Sequence, residues 1–221
     1  MSDFAEARRN MVDRQVRPAD VTDLRIIAAM LDVPRERFAP GREAIAYLDV
    51  DLPVASAGAG VVRALLKPMV FAKLIQAAEI GPAEHVLDVG CATGYSSAVL
   101  AHLAGSVVAL EEDAALAAEA RTNLAALTSP NVTVASAPLA GGYETGAPYD
   151  VILIEGACEV VPEALCRQLR ENGRLVALVG TASMAKATIY RAVMGRVTAQ
   201  PLFDAAGPAL PGFARPPAFV F

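Results

Sequence analysis

The sequence contains few of the residues that build metal sites or disulfide frameworks. Its two histidines, His85 and His102, stand in no metal-ligand spacing, and its three cysteines show no paired spacing. Cysteines used in this way are typical of a reducing cytosol. We therefore expect a cytoplasmic protein with no bound metal.

Long apolar runs are also missing, as are internal repeats and low-complexity tracts. No N-terminal stretch is apolar and long enough for a signal peptide or a membrane span. The net charge of −5 argues against a general nucleic-acid surface. The 221 residues, 54% of them hydrophobic, are enough for one domain with a sizeable core. We expect neither nucleic acid nor membrane among its partners.

A short apolar run, a glycine turn and a helix pattern follow one another in the middle of the chain. Residues 86–89 are apolar except for Asp88, which is typical of a strand buried in a parallel sheet. Gly90 and Gly94 belong to the turn, and residues 96–101 predict a helix that is apolar on one side. This order of elements opens nucleotide-binding α/β units.

The glycine spacing separates two classes of nucleotide site. A dinucleotide fingerprint that begins at Gly90 would need glycines at two positions where the chain has Ala92 and Tyr95. The spacing fits better the D/E-x-G-x-G-x-G loop of S-adenosylmethionine-dependent methyltransferases, with Ala92 in place of the middle glycine. Gly94 is expected to let the backbone come close to a ligand.

A second apolar run supports this interpretation. Residues 106–110 predict a buried strand, and Glu111 follows directly. In methyltransferases of this fold, an acid at that position accepts hydrogen bonds from both ribose hydroxyls of the cofactor, which suits the two oxygens of a carboxylate. The alternative is a solvated acid, because Glu112 and Asp113 follow and acids in a first helical turn complement the helix dipole.

The first 80 residues predict helices joined by irregular stretches. Residues 4–16 form an amphipathic helix whose arginines face solvent or an acidic partner. Residues 20–31 predict a second helix, capped by Thr22. A glycine-rich link at residues 57–60 precedes a helix over residues 68–78 that begins with proline.

The C-terminal half predicts the remaining strands. Residues 151–154 form an apolar run, and residues 174–179 and 187–193 are interpreted as the fifth and sixth strands of a sheet. Residues 213–221 are expected to end in an edge or antiparallel strand. A turn-rich stretch at residues 207–212 precedes them, and the sequence suggests no function for it.

Several of these segments occur in the order and spacing of protein-L-isoaspartate O-methyltransferases. The chain resembles that family over roughly residues 10–180, with departures that would make it a divergent member. The matching pieces are residues 33–40, 46–54, 86–95 and 147–154, the helix start at Pro68, and the helix, turn and strand within residues 162–176.

The resemblance implies a single seven-stranded α/β methyltransferase domain of the Rossmann-like kind. Residues 1–80 would form an N-terminal helical extension and substrate-side segment, and residues 81–221 the cofactor-binding core. The implied activity is S-adenosylmethionine-dependent methylation of an isoaspartyl carboxylate in a peptide or protein, which begins its repair. The implied state is a cytosolic monomer, with a dimer left open.

The resemblance also assigns site residues. No catalytic base is expected, because a carboxylate with a pKa of about 4 is already ionised near neutral pH and mainly needs orientation in a dry pocket. The substrate side is expected at Leu66 and Lys67. The cofactor is expected to contact Asp88, Gly90, Cys91, Ala92, Gly94, Tyr95, Ser96, Glu111, Glu112, Pro138, Leu139 and Glu155.

Three positions depart from the family pattern. Leu66 stands where the family has a serine that helps to hold the substrate, and leucine cannot donate a hydrogen bond. Pro138 replaces the acid that contacts the adenine amino group, and Glu155 replaces a small residue or threonine near the methyl-transfer site. An ionised Glu155 would repel an anionic acceptor. Isoaspartyl methylation is therefore expected to be weak or absent unless Lys67 or backbone amides replace the serine.

Other interpretations stay open at this stage. Glu155 is equally compatible with a helix cap or a surface acid, Lys67 with a solvated residue, and Tyr95 with an aromatic side chain in the core. Two other functions also remain. The chain could be a methyltransferase for a different acceptor, or it could be a non-catalytic protein that binds the cofactor.

Overall fold

The structure, a computed structural model, describes residues 4–56 and 62–215. The link predicted at residues 57–60 lies outside the described residues, as do residues 216–221. The helices are α1 (Phe4–Met11), α2 (Leu24–Asp32), α3 (Pro68–Ala78), α4 (Tyr95–Ala101), α5 (Ala114–Ala126) and α6 (Glu163–Arg167). No helix in the described ranges is long and apolar enough to cross a membrane. The strands are β1 (Leu52–Ser56), β2 (Val62–Leu65), β3 (His85–Val89), β4 (Ser106–Leu110), β5 (Val132–Ala135), β6 (Tyr149–Cys158), β7 (Leu169–Thr181), β8 (Met184–Val193) and β9 (Arg196–Ala205).

Seven of these strands form one sheet, in the order β5-β4-β3-β6-β7-β8-β9, and β1 pairs with β2 in a separate antiparallel pair. β3 pairs in parallel with β4 on one side and with β6 on the other. The strand order therefore reverses at β3. In open α/β sheets, ligands bind in the crevice outside the carboxyl ends of the strands at such a point. The predicted seven-stranded α/β fold is confirmed.

The central strands are buried on both faces, which explains their apolar composition. β6 is buried along its whole length, and in β3 only His85 is partly exposed. Successive side chains point to opposite faces. Val86 packs with α3 and α4 in one core cluster, and Leu87 belongs to the other. These two clusters fix the positions of the turns that follow β3 and β4.

The N-terminal helices pack against this core, and one of their arginines is less solvated than the sequence pattern indicates. α1 continues into a wider π-helical turn, Val12–Val16, so the predicted helix over residues 4–16 is confirmed. Arg8 donates to the Tyr47 hydroxyl at 3.0 Å and to the Asp32 carbonyl at 2.9 Å. This side chain ties α1 to the end of α2.

The next two helices are present as predicted, but α2 begins at Leu24, four residues later than predicted, and its cap differs. The helix predicted over residues 68–78 is confirmed as α3, with Lys67 at its N-cap. The cap of α2 is Asp23 and not Thr22 as predicted, because the Asp23 side chain accepts a hydrogen bond from the Arg25 N–H. An aspartate satisfies a free N–H at a helix start as well as a threonine does.

Within the described residues the last strand of the sheet is β9, and the strand predicted at the end of residues 213–221 lies outside them. Residues 213–215 lie outside any strand. Phe213 is buried instead, and its carbonyl accepts hydrogen bonds from the N–H groups of Glu159 and Val160. Most residues of β9 are exposed, so its sequence lacks the alternation that marks a half-buried strand.

Candidate functional site

The turn after β3 lies where the strand order reverses, and it leads directly into α4. Gly90 and Gly94 have φ angles of +85° and +96°, and Ala92 has a φ of +50°. The Gly90 N–H donates to the Leu110 carbonyl, which fastens the turn to β4. A Cβ at Gly94 would lie 3.3 Å from the Ala120 Cβ. The space on the Cβ side of Gly94 is thus taken by α5, and the predicted approach of a ligand to its backbone stays a prediction.

Glu111 follows β4, and its side chain is 0% exposed. Its Oε1 accepts hydrogen bonds from the N–H groups of Glu112 and Asp113 at 3.0 and 3.1 Å. Its Oε2 accepts from the Ala92 N–H and from Arg63 Nη2, both at 2.8 Å. Burial raises the pKa of Glu111, whereas the Arg63 guanidinium and the backbone N–H groups lower it. The alternative of a solvated acid is therefore wrong.

Arg63, in β2, was not predicted from the sequence. Its side chain is 2% exposed and forms an ion pair with Glu111. A Cβ at Gly90 would lie 3.1 Å from Arg63 Nη2 and 3.3 Å from Leu210 Cδ2, so both side chains lie directly over the glycine turn. The sequence did carry one signal for this ion pair, a lone arginine within the apolar run of residues 61–66. A cation in a buried strand needs an acidic partner.

Asp88 lies in β3 beneath the turn and is fully buried. Its Oδ2 accepts hydrogen bonds from the hydroxyls of Ser96 and Ser97 at 2.7 and 2.5 Å. Burial raises the pKa of Asp88 to about 6, although the Ser97 and Ser96 hydroxyls lower it. Ser96, which was predicted to contact the cofactor, uses its hydroxyl to hold Asp88.

A cavity of about 10 Å³ lies between the turn, the end of β2 and β6. A cavity of that size holds about one water molecule. The structure therefore brings the substrate-side position and most of the glycine turn to one place. The predicted site residues that line the cavity are Leu66, Gly90, Cys91, Ala92, Tyr95, Ser96 and Glu155.

Glu155 lies in β6 and is 5% exposed, so the alternatives of a surface acid and a helix cap are wrong. Burial and the nearby Asp88 raise the pKa of Glu155 well above its usual range, and Arg35 opposes the shift. Burial and Asp88 both favour the protonated form of the Glu155 carboxyl group. Over the described ranges, Glu155 Oε1 and Asp88 Oδ1 are buried without a hydrogen-bond partner. A protonated Glu155 would not repel an anionic acceptor, so the repulsion expected from the sequence depends on this proton.

Tyr95 is both a core aromatic and a cavity residue. Its ring lies 5.7 Å from the Phe38 ring and 5.8 Å from the Phe71 ring. The Arg35 guanidinium lies 4.5 Å from the centre of the Tyr95 ring, and Arg35 Nη2 donates to the Leu66 carbonyl at 2.8 Å. Arg35, which the sequence did not single out, thus fixes Leu66 relative to α4.

Glu112, Pro138 and Leu139 lie together beside Glu111. Glu112 Oε2 accepts a hydrogen bond from the Leu139 N–H at 3.3 Å. The Leu139 side chain is buried, whereas Glu112 and Pro138 are exposed. A carboxylate therefore stands next to Pro138, the position where the acid of the family pattern is missing.

The segment 207–213 lies along the end of β6. The Ala157 N–H donates to the Pro208 carbonyl at 2.8 Å, and the Leu210 N–H donates to the Ala157 carbonyl at 3.0 Å. A Cβ at Gly156 would lie 2.7 Å from Leu210 Cγ, so glycine is required for this packing. The turn-rich stretch without a predicted function thus covers the β6 side of the site.

The predicted substrate contact of Lys67 stays a prediction. Its N–H donates to Asp51 Oδ1 at 2.9 Å, and the residue is not among those that line the cavity in the described chain. In the same ranges, no group of three or more His, Cys, Asp or Glu side chains could hold a metal ion.

Two acidic side chains, Glu111 and Glu112, have the chemistry that binding an adenosine needs. Glu111 offers the carboxylate that a ribose needs, and Glu112 stands at the edge where an adenine would lie. The acceptor positions of Glu111 are nevertheless filled by four donors from the chain itself. The residue types fit S-adenosylmethionine, and Arg63 holds one of the Glu111 acceptor positions that the ribose hydroxyls are expected to use.

Comparisons with known proteins agree with this arrangement. A protein-L-isoaspartate O-methyltransferase from Koribacter versatilis (strain Ellin345) is 37% identical over 92% of this chain and 90% of its own length. One from Methanoregula boonei (strain DSM 21154 / JCM 14090 / 6A8) is 39% identical over 81% of each chain.

Two solved structures share the fold. A protein-L-isoaspartate O-methyltransferase superposes with a TM-score of 0.81 and 22% identity, over 93% of this chain but only 66% of that chain. A putative protein-L-isoaspartate O-methyltransferase from Plasmodium falciparum, in complex with S-adenosyl-L-homocysteine, superposes with a TM-score of 0.76 and 19% identity. The match covers 95% of this chain and 99% of that one. The family model described as protein-L-isoaspartate(D-aspartate) O-methyltransferase matches residues 6–201. The chain belongs to the protein-L-isoaspartate(D-aspartate) O-methyltransferase family.

Proposed function

We propose that this chain transfers the methyl group of S-adenosylmethionine to the carboxylate of an isoaspartyl residue in a peptide or protein. The family match over residues 6–201 carries the proposal, together with relatives that are 37% and 39% identical over most of the chain. The names of those relatives state this activity, and the fold places the expected acid, Glu111, at the end of β4.

The chain's own residues would hold the cofactor at the end of β3 and β4. Glu111 would accept the ribose hydroxyls, and Glu112, Pro138 and Leu139 would line the adenine edge. When bound, the cofactor supplies an electrophilic methyl group on a sulfonium. Asp88 would keep the turn in place through the Ser96 and Ser97 hydroxyls, since both donate to its Oδ2.

Glu155 takes the place of the missing serine in this proposal. Leu66 and Glu155 line the same cavity, and only Glu155 can donate a hydrogen bond. Burial raises the pKa of Glu155 and so favours its protonated form, in which Glu155 would donate its O–H to the ionised carboxylate of the acceptor. A hydrogen bond to a charged group is worth about 1.5–3 kcal/mol. No general base is needed, because the acceptor is already ionised.

The test is methyl transfer from labelled S-adenosylmethionine to a synthetic isoaspartyl peptide, with the same peptide carrying ordinary aspartate as the control. Label on the isoaspartyl peptide alone supports the proposal. If the cofactor binds and neither peptide is labelled, the isoaspartyl assignment is wrong. The second candidate, a methyltransferase for another acceptor, would then be favoured, since Leu66 already departs from the family serine.

We also propose that the chain acts as one domain, as a monomer in the cytoplasm. One core cluster contains residues from Met11 to Ile189, so the N-terminal helices and the sheet are packed together. All three cysteines are unpaired, as is usual in a reducing compartment. Light scattering on the purified chain tests the monomer, and a single unfolding transition tests the single domain.

A further inference from the structure

The buried ion pair between Arg63 and Glu111 stands where the cofactor ribose is expected. The Arg63 and Glu111 side chains are 2% and 0% exposed, and Arg63 Nη2 lies 2.8 Å from Glu111 Oε2. An ionised carboxylate has about four lone-pair positions. The chain fills them with the N–H groups of Ala92, Glu112 and Asp113 and with Arg63.

Of these four donors, Arg63 is the one that can leave. The three N–H groups belong to the backbone of the turn and of the start of α5, whose positions the core fixes. Arg63 reaches Glu111 with a long side chain from β2, 48 residues away in sequence. Its Nη2 also lies 3.1 Å from the position of a Cβ at Gly90, so it fills the space over the turn.

We propose that Arg63 competes with the cofactor ribose for Glu111 and thereby sets the affinity of this chain for its cofactor. The Arg63 guanidinium and the ribose hydroxyls would donate hydrogen bonds to the same carboxylate oxygen, so Glu111 cannot accept from both at once. The apparent dissociation constant is then the intrinsic one divided by the fraction of molecules in which Arg63 has left Glu111. The inference rests only on the cofactor half of the proposed function.

Leu210 has to move with Arg63. Its Cδ2 lies 3.3 Å from the same Cβ position at Gly90, and its Cγ lies 2.7 Å from a Cβ at Gly156. The segment 207–213 is held to β6 by hydrogen bonds between Ala157 and both Pro208 and Leu210. Cofactor binding would therefore shift two parts of the chain, β2 and this segment, away from the turn.

Calorimetric titration with S-adenosylhomocysteine tests the competition without any need for turnover. Arg63→Met keeps the length of the side chain and removes its donors, so binding should become at least about tenfold tighter. Arg63→Lys keeps a cation and should bind less tightly than Arg63→Met. The matched control is Arg174→Met, which breaks the pair between Arg174 and Glu84 away from the turn and should leave the affinity unchanged.

A double-mutant cycle sharpens the test. In the wild type, Glu111→Gln removes the ribose acceptor but also ends the competition by Arg63. The loss of affinity for S-adenosylhomocysteine is therefore partly offset. In the Arg63→Met background nothing offsets the loss, which should be at least about fivefold larger. Equal losses in the two backgrounds would show that Arg63 does not compete.

Weaker binding by a folded Arg63→Met variant would also overturn the inference, because Arg63 would then be a cofactor ligand. If Arg63→Met does not fold, Arg63→Gln, which leaves a neutral donor, takes its place with the same expected direction. Tight binding by the wild type that no Arg63 variant changes would refute the competition and leave the proposed function intact. No binding by any variant would refute both.

Discussion

Glu111 and Glu155 are two buried glutamates, one directly after β4 and the other in β6, the two strands that flank β3. They differ in the groups that surround them. The Glu111 carboxylate receives four hydrogen bonds, one of them from a guanidinium. Glu155 Oε1 has no hydrogen-bond partner in the described ranges, and the acid Asp88 lies nearby. Burial raises the pKa of both residues, but donors oppose it at Glu111 and a second acid adds to it at Glu155.

This difference separates the two halves of the site. Glu111 is held as an acceptor, which suits the hydroxyl donors of a ribose. The surroundings of Glu155 favour its protonated form, which can donate a hydrogen bond to an anionic acceptor group. The same residue type therefore has opposite hydrogen-bonding roles, and partners rather than sequence position decide which role each takes.

The largest expected effect is on the free energy of unfolding, which substitutions of the two acids should change in opposite directions. Glu111→Gln leaves the Arg63 guanidinium buried without a counter-charge and should lower the free energy of unfolding by about 3–5 kcal/mol near neutral pH. Glu155→Gln removes the need to take up a proton on folding and should raise the free energy of unfolding. Urea denaturation of the two variants measures both changes. Equal losses would mean that the two carboxyl groups carry the same charge.

Methyl transfer should distinguish a donor at Glu155 from a mere spacer. Glu155→Ala should lower kcat/KM for the isoaspartyl peptide by a factor equivalent to about 1.5–3 kcal/mol, because it removes a hydrogen bond to a charged group. Glu155→Gln keeps an N–H donor and should retain most of the activity. Leu66→Ser adds a hydroxyl to the same cavity and should restore activity to Glu155→Ala. An Ala variant as active as the wild type would leave Glu155 without a role in transfer.

The pH dependence of stability should report the proton on Glu155. The folded-state pKa lies above the unfolded value, so the folded state binds the extra proton. The contribution is fully present below the unfolded pKa of about 4.3 and falls by about 1.4 kcal/mol per pH unit until the folded pKa is reached. Urea titrations of wild type and Glu155→Gln at several pH values measure the difference. Parallel curves for the two proteins would show an ionised Glu155.

The parts of the fold that were predicted are those in which local pattern and burial agree. β3 and its turn follow from an apolar run and two glycines, and α3 begins at the proline that starts its pattern. β9 was missed because an exposed edge strand has no apolar alternation to recognise. The strand predicted at the end of residues 213–221 stays a prediction, whereas Phe213 is fastened to the residues directly after β6 by backbone hydrogen bonds from Glu159 and Val160.

The site was predicted only where a residue's role follows from its place after a strand. Glu111 is such a case. Arg63 is not, because its partner lies 48 residues away and only the fold brings the two together. The pKa of Glu155 depends on its burial and on Asp88 and Arg35, which lie far from it in sequence. Long-range contacts thus decide the chemistry that the local motif leaves open.

The smallest expected effect lies at the adenine edge, where an exposed acid stands next to Pro138. Glu112 Oε2 is held by the Leu139 N–H at 3.3 Å, so Glu112 is placed to accept from an adenine amino group. Glu112→Ala should weaken binding of S-adenosylhomocysteine by roughly fivefold, about 1 kcal/mol for an exposed hydrogen bond. The inosine form, which lacks the amino group, is the matched control and should bind both proteins equally. Calorimetry with the two ligands measures the change. Equal weakening of both forms would mean that Glu112 acts only by fixing Leu139, and a loss above about a hundredfold would be too large for one exposed contact.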